Sequence, residues 1–243
     1  MSGHSKWANI KHKKGKMDAA RGKIATKLGR EITIAVRMGG SDPTGNMRLK
    51  LVMAKAKANN IPKDNIQRAI QKGLGGTDGA NYEELTYEGY GPSGVAVMVN
   101  VMTDNRNRAA AEIRHLFSKY GGNLGETGCV GWMFQKKGMF VIESDTLTED
   151  DIMEIALEAD AEGFEATDDG FEITTTPEGF DAVDQILSER GIQPSVAEVT
   201  MLPDTMMEVD DSVADKVMKL IEALEDNDDV QDVYTNADFP EEN

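Results

Sequence analysis

The side chains with the greatest capacity for chemistry in this chain are cations, crowded at one end. Lys6, Lys11, Lys13, Lys14, Lys16, Lys23, Lys27, Arg30 and Arg37, together with His12, fall within the first forty residues. Lysine and arginine at such density suit a polyanion with regularly spaced phosphates, because each phosphate they neutralise releases condensed counterions. On a helix that advances about 100° per residue, Ile24, Leu28, Ile32, Ala35 and Val36 share one arc of roughly 120°. Lys16, Lys23, Lys27, Arg30 and Arg37 gather on the opposite side. One helix is therefore expected to bury an apolar face and to present a line of cations, preceded by a lysine-rich arm around His12. Lys50, Lys55, Lys57 and Lys63 can extend the same surface.

Other reactive groups carry less. Trp7 reads as an anchor of the arm to its own domain rather than a base-stacking residue. His4 and His12 read as solvated or phosphate-contacting, since no further metal ligand lies near them. Arg21 projects toward the apolar arc, where Asp18 or Asp42 can pair with it. The segment Thr103-Asp104-Asn105-Arg106-Asn107-Arg108 reads as a strand end and helix cap before it reads as a phosphate contact. Asp150-Asp151 suits a helix start and Asp168-Asp169 a hairpin tip, and neither has calcium-loop spacing. The glycines at 73–79 and 121–125 lack the Lys-Ser/Thr of a phosphate loop. Cys129, the single cysteine, falls in an apolar segment read as a strand, where a packed, inert thiol is expected. No catalytic residue, metal ligand or cofactor site is indicated, and a non-enzymatic protein is the expectation.

The charge balance of the whole chain hides this concentration. Net charge is −17, which alone argues against a nucleic-acid partner. Residues 1–80, however, hold 17 Lys and Arg against 5 Asp and Glu, a local +12, and the remainder carries −29. Such asymmetry marks one end for a polyanion, while the acidic remainder favours solubility and confines the contact. No window of about 20 apolar residues suggests a membrane span, and no apolar run follows the basic N-terminus as in a secretory signal. With one cysteine and no membrane segment, a cytoplasmic monomer is expected.

The elements that must position these groups follow from periodicity. Residues 1–80 predict a basic helical domain. Its first helix runs from after Asp18 to Gly39-Gly40. A second carries Leu49, Val52, Met53 and Ala56, and a third carries Ile66, Ala69 and Ile70 and stops at Gly73. The glycine-rich stretch 75–79 predicts a linker. Beyond it a strand is expected over Val95–Val101, a helix over Ala109–Tyr120, and short strands over Asn123–Gly125 and Cys129–Gln135. From Met139 to Leu202 the order is β-α-β-β-α-β, that of a ferredoxin-like domain. A further helix (Ser212–Leu224) and strand (Val230–Thr235) supply what the earlier unit lacks. The expected fold class is α+β with three domains. A helical domain (1–80) precedes an interrupted ferredoxin-like domain (81–136 and 204–243), into which a second such domain (137–203) is inserted.

Several segments resemble the YebC/PmpR family. They are Gly3-His4-Ser5-Lys6-Trp7-Ala8-Asn9-Ile10-Lys11-His12, Arg21-Gly22-Lys23, Thr26-Lys27 and Arg30-Glu31-Ile32. Tyr87-Glu88-Gly89-Tyr90-Gly91-Pro92, Thr103–Arg108, Gly121-Gly122-Asn123-Leu124-Gly125, Ala197-Glu198-Val199 and the stretch from Leu220 to Tyr234 continue the similarity. One departure is Met47, where the family usually has proline after Asn46, at the expected start of the second helix. The resemblance implies a three-domain protein of the kind described as probable DNA-binding transcriptional regulators. Relatives that include a mitochondrial translational activator of cytochrome oxidase imply a ribosome-associated factor, binding RNA and easing synthesis of difficult stretches such as consecutive prolines. The cations of the first helix lack the interspersed Asn and Gln that read adenine, which favours backbone and RNA-shape contact. A protein-interaction or ligand-sensing role for the ferredoxin-like domains is the third reading.

Overall fold

Why the first helix stays helical is plain from its residues: one apolar position per turn and no proline until Pro43. In the computed structural model, which describes residues 21–75 and 81–240, helix α1 spans Arg21–Gly39. Helices α2 (Met47–Ala58) and α3 (Lys63–Gly73) complete a three-helix bundle. Its core is Leu28, Ile32, Ala35 and Val36 from α1, Leu49, Val52 and Ala56 from α2, and Ile66, Ala69 and Ile70 from α3. Met47 does not disturb the start of α2. Asn46 caps it by accepting a hydrogen bond from the Leu49 amide, and its own side-chain amide donates to the Ala35 and Gly40 carbonyls. Helices α1 and α3 approach closely at Gly73, where a Cβ would sit 2.7 Å from the Thr33 carbonyl oxygen. The Thr33 hydroxyl donates across that contact to the Ala69 carbonyl at 3.1 Å.

After the bundle come β1 (Glu83–Tyr90), β2 (Ala96–Thr103), α4 (Arg106–Lys119) and β3 (Asn123–Leu124). Strand β1 is an element that the periodicity reading does not register. Its inward positions Leu85 and Tyr87 pack on the core, but Glu83, Glu84 and Glu88 give it the composition of a loop. The expected strand over Cys129–Gln135 is corrected: residues 126–133 form turns and a short 3₁₀ segment, and β4 runs from Phe134 to Glu143. Strand β4 thus crosses the 136/137 boundary drawn from sequence. The buried Glu88 carboxylate organises the turn that replaces the expected strand. It accepts hydrogen bonds from the backbone amides of Gly128, Val130 and Gly131. A Cβ on Gly131 would lie 2.6 Å from Glu88 Oε1, so the amide reaches the carboxylate only because the residue is glycine.

Chain tracing then gives α5 (Glu149–Glu158), β5 (Gly163–Thr167), β6 (Gly170–Thr175), α6 (Phe180–Glu189) and β7 (Val196–Pro203). With β4 they form a sheet ordered β5-β6-β4-β7, every pair antiparallel. Phe140 stacks on Phe180 with ring centroids 4.5 Å apart. Met139, Val141, Val196 and Leu202 form a separate buried cluster, alternating with Phe140 and Ile142 along the strand. Thr148 and Asp151 close a reciprocal cap at the start of α5, and Asp168-Asp169 join β5 to β6, as their types suggest.

The chain returns through β8 (Met207–Glu208), α7 (Asp211–Asp226), β9 (Val230–Thr235) and β10 (Ala237–Asp238). The host sheet is ordered β3-β1-β2-β9. Strands β3, β1, β2 and β9 therefore occupy the places that β5, β6, β4 and β7 hold in the insert. Only the chain order differs, because β1 precedes β2 where its counterpart β6 follows β4, the counterpart of β2. Val97, Val99 and Val101 of β2 pack against Ile113 and Phe117 of α4 and Val217, Leu220 and Leu224 of α7. The protein is a three-domain α+β molecule, a helical bundle followed by two ferredoxin-like domains, one within the other. Among the described residues it divides into two compact units, one of residues 132–206 and one combining the bundle with the host domain. No described helix is long and apolar enough to cross a membrane.

Candidate nucleic-acid interface

Helix α7 ends in Glu225-Asp226, followed by Asn227-Asp228-Asp229, and carries no basic residue in its last turn. The negative end of its backbone dipole and four carboxylates are thus left without compensation from the helix itself. Helix α1 supplies it. Lys23 donates to the Asp226 carbonyl at 3.0 Å and to its carboxylate at 2.5 Å. Lys27 donates to the Glu225 carbonyl. Arg30 donates to the Asp228 carbonyl at 2.7 Å and to Asp229 Oδ1 at 2.9 Å, with its guanidinium 5.1 Å from the centre of the Tyr82 ring.

Asp229 is the hub of this contact. Its side chain is 6% exposed, and its second oxygen accepts from Arg108 at 2.7 Å and from the Thr103 hydroxyl at 3.0 Å. Burial works against its charge, but the hydrogen bonds from Arg108, Thr103 and Arg30 outweigh it and hold the carboxyl below its ordinary value. Burial lowers the Lys27 ammonium, whereas the Asp226 partner raises Lys23. Asn105 caps α4 by accepting from the Arg108 amide, and Arg108 also holds Asp104 at 3.0 Å. The Thr103–Arg108 segment is accordingly a strand end and cap, with Arg108 committed to Asp229.

This arrangement corrects the orientation expected from the helical wheel. The face of α1 carrying Lys23, Lys27 and Arg30 does lie opposite the bundle core, but it meets the acidic end of α7. Intrahelical spacing identifies two faces and is silent on which one a partner about two hundred residues away will cover. Arg37, beyond that contact, is exposed. Lys6, Lys11, His12, Lys13, Lys14 and Lys16, with His4 and Trp7, lie outside the described residues, as does the side chain of Arg21. Asp42 accepts from the amide and hydroxyl of Thr44, closing its own turn. Cys129 sits in the Glu88-organised turn, not in a strand, and burial and the nearby Glu88 push its thiol above the ordinary value.

The other two helices present what α1 does not. Lys50, Lys55 and Lys57 of α2 and Lys63, Arg68 and Lys72 of α3 are all exposed. Asp64 is the only acid in either helix. Arg48 instead pairs with Glu84 of β1 and ties the bundle to the host domain. Helix α3 also exposes Asn65, Gln67 and Gln71 between its cations, with Asn65 accepting from Arg68 at 2.8 Å. Side-chain amides next to arginine and lysine are the groups that read base edges. The sequence KDNIQRAIQK displays that signal, which the cations of α1 lack.

Comparison with known proteins bears on the same regions. Residues 5–76 match the family described as "TACO1/YebC protein N-terminal domain", and residues 82–237 match "TACO1/YebC second and third domain". The chain belongs to the TACO1/YebC family. A probable transcriptional regulatory protein of Clostridium tetani is 59% identical over 243 residues, covering 100% of this chain and 99% of the relative. One from Desulforamulus reducens is 58% identical over 238 residues, with 97% and 98% covered. Among solved structures, a conserved hypothetical protein from Aquifex aeolicus superposes with a TM-score of 0.83 at 46% identity, over 98% of each chain. That structure matches the α+β architecture over nearly its whole length.

Proposed function

We propose that this protein is a nucleic-acid-binding regulator of gene expression that holds DNA through its basic N-terminal end. The observation that carries the reading is the exposed face of α2 and α3, where six cations surround a single acid and α3 interleaves Gln67 and Gln71 with Arg68 and Lys72. The arm residues Lys6, Lys11, His12, Lys13, Lys14 and Lys16, with Arg37, are the further phosphate contacts assigned here, whereas Lys23, Lys27 and Arg30 of α1 are engaged by the end of α7. The acidic host and inserted domains repel phosphate and restrict approach to the bundle. Relatives named probable transcriptional regulatory protein support the regulatory half of the reading.

The second reading is a ribosome-associated translation factor. It is favoured by α2, whose exposed Lys50, Lys55 and Lys57 have no amide side chain among them and suit backbone contact with structured RNA. Crosslinking in cells followed by sequencing of bound nucleic acid separates the two. Promoter DNA is the expected product, ribosomal RNA transfers the assignment to translation, and recovery of neither refutes nucleic-acid binding altogether.

A further inference from the structure

The acidic end of α7 occupies cations that would otherwise face a polyanion, and the grip is graded. At the inner end, Arg30 is 17% exposed and its partner Asp229 6%, with two further donors fixing the carboxylate. Lys27 donates to the Glu225 carbonyl oxygen, and the nearby carboxylates of Glu225 and Asp228 favour its charge against its burial. Lys23, at the outer end, pairs with Asp226 where the two side chains are 43% and 74% exposed. Exposed pairs of this kind are worth little and are screened by salt.

We propose that the Lys23–Lys27 face of α1 is a second phosphodiester-binding surface, held closed by Glu225, Asp226 and Asp228 until a nucleic-acid backbone displaces them. The inference rests on the nucleic-acid reading above. The acidic turn and a phosphate backbone present the same chemistry, closely spaced anionic oxygens, so they compete for the same ammonium groups. Arg30 stays with Asp229 and keeps the bundle attached to the host domain while Lys23 and Lys27 exchange partners. Exchange relieves Lys27 of the burial that disfavours its charged form. Counterion release favours the exchange at low salt, and the acidic turn repels any weaker or shorter polyanion. The cations of α2 and α3 are exposed, so the α1 surface adds contacts only once a long enough ligand has engaged them.

The test uses the full chain with Glu225→Gln, Asp226→Asn and Asp228→Asn combined, leaving Asp229 intact, against single-stranded RNA and duplex DNA oligonucleotides. Affinity should rise about tenfold at about 0.1 M salt, and the slope of log K against log salt should steepen by about 1.5 to 2, for two new phosphate contacts. Adding Lys23→Ala and Lys27→Ala should cancel both gains. Which oligonucleotide shows the gain identifies the source of the backbone. A control variant neutralises Glu208, Asp211 and Asp215, toward the other end of the 16-residue α7, about 20 Å away at 1.5 Å per residue. An equal gain in that control means net charge alone is at work and overturns the proposal. So does unchanged affinity in the triple variant while the parent protein binds, an outcome that leaves the nucleic-acid reading standing. Failure of parent and variant alike to bind either oligonucleotide defeats that reading, and this inference with it. Asp226→Asn alone, at an exposed position, repeats the test should the triple variant lose its fold.

Discussion

Helix α1 and the pair α2–α3 carry the same kind of cation at similar density, yet they serve different ends. On α1 the charges close against a helix terminus and a buried carboxylate of another domain. On α2 and α3 they lie on exposed positions of two helices that carry one aspartate between them. What separates them is the distribution of acids around each. A cation's role is set by which anion reaches it first, and an anion of the same chain has the advantage of permanent proximity.

Reversing charge on the open surface tests the contrast most severely. Lys50→Glu, Lys57→Glu and Lys63→Glu together should weaken nucleic-acid binding about 1,000-fold and flatten the salt slope by about 3. The thermal midpoint should stay within a few degrees, because none of the three is buried. A variant that binds as the parent does would move the interface elsewhere.

The opposite outcome is expected at the closed surface. Asp229→Ala strands Arg30 and the Thr103 hydroxyl beside a partly buried void and should destabilise the unit formed by bundle and host domain by about 2–3 kcal/mol. Urea unfolding measures this, and the affinity of the folded variant for nucleic acid should change by less than about threefold. Destabilisation too small to measure would show that the bundle is held on by Arg48–Glu84 and apolar contact alone.

The smallest effect is one of pH. Because the native state holds Asp229 below its ordinary 3.8, its contribution is complete above that value and is lost as pH falls through the lower native one. The stability gap between the parent and Asp229→Asn should therefore be constant from pH 7 to about pH 5. It should shrink only below about pH 4. A gap that narrows already between pH 7 and pH 5 would mean that another group governs the contact.

How much of this was legible in the sequence differs by region. The core of α1 at Leu28, Ile32, Ala35 and Val36 follows from helical period alone, and each of these residues is buried. The inserted domain is legible element by element, since its strands, the Asp150-Asp151 helix start and the Asp168-Asp169 hairpin tip are local signals. Strand β1 escapes the pattern because Glu83, Glu84 and Glu88 interrupt it, and Glu88 is buried for a non-local reason: it gathers amides some forty residues on. The stretch 129–135 has the apolar residues of a strand, although Gly128 and Gly131 turn it around that carboxylate. The engagement of Lys23, Lys27 and Arg30 was illegible for a similar reason, as their partners lie about two hundred positions away and nothing in either segment names the other.

The host sheet also has a consequence for synthesis on the ribosome. Strand β2 lies between β1 and β9, and β9 emerges only after the whole insert has been made. Until then β2 offers an unpaired edge of hydrophobic strand, the kind of surface that invites association with other chains. The insert, whose four strands are contiguous in the chain, can fold during that interval. Its host waits for the last strand, and so does Arg30, whose carboxylate arrives one residue before β9 begins. A nascent chain arrested near residue 210 should thus show a protease-resistant insert alongside a host domain that is still cleaved.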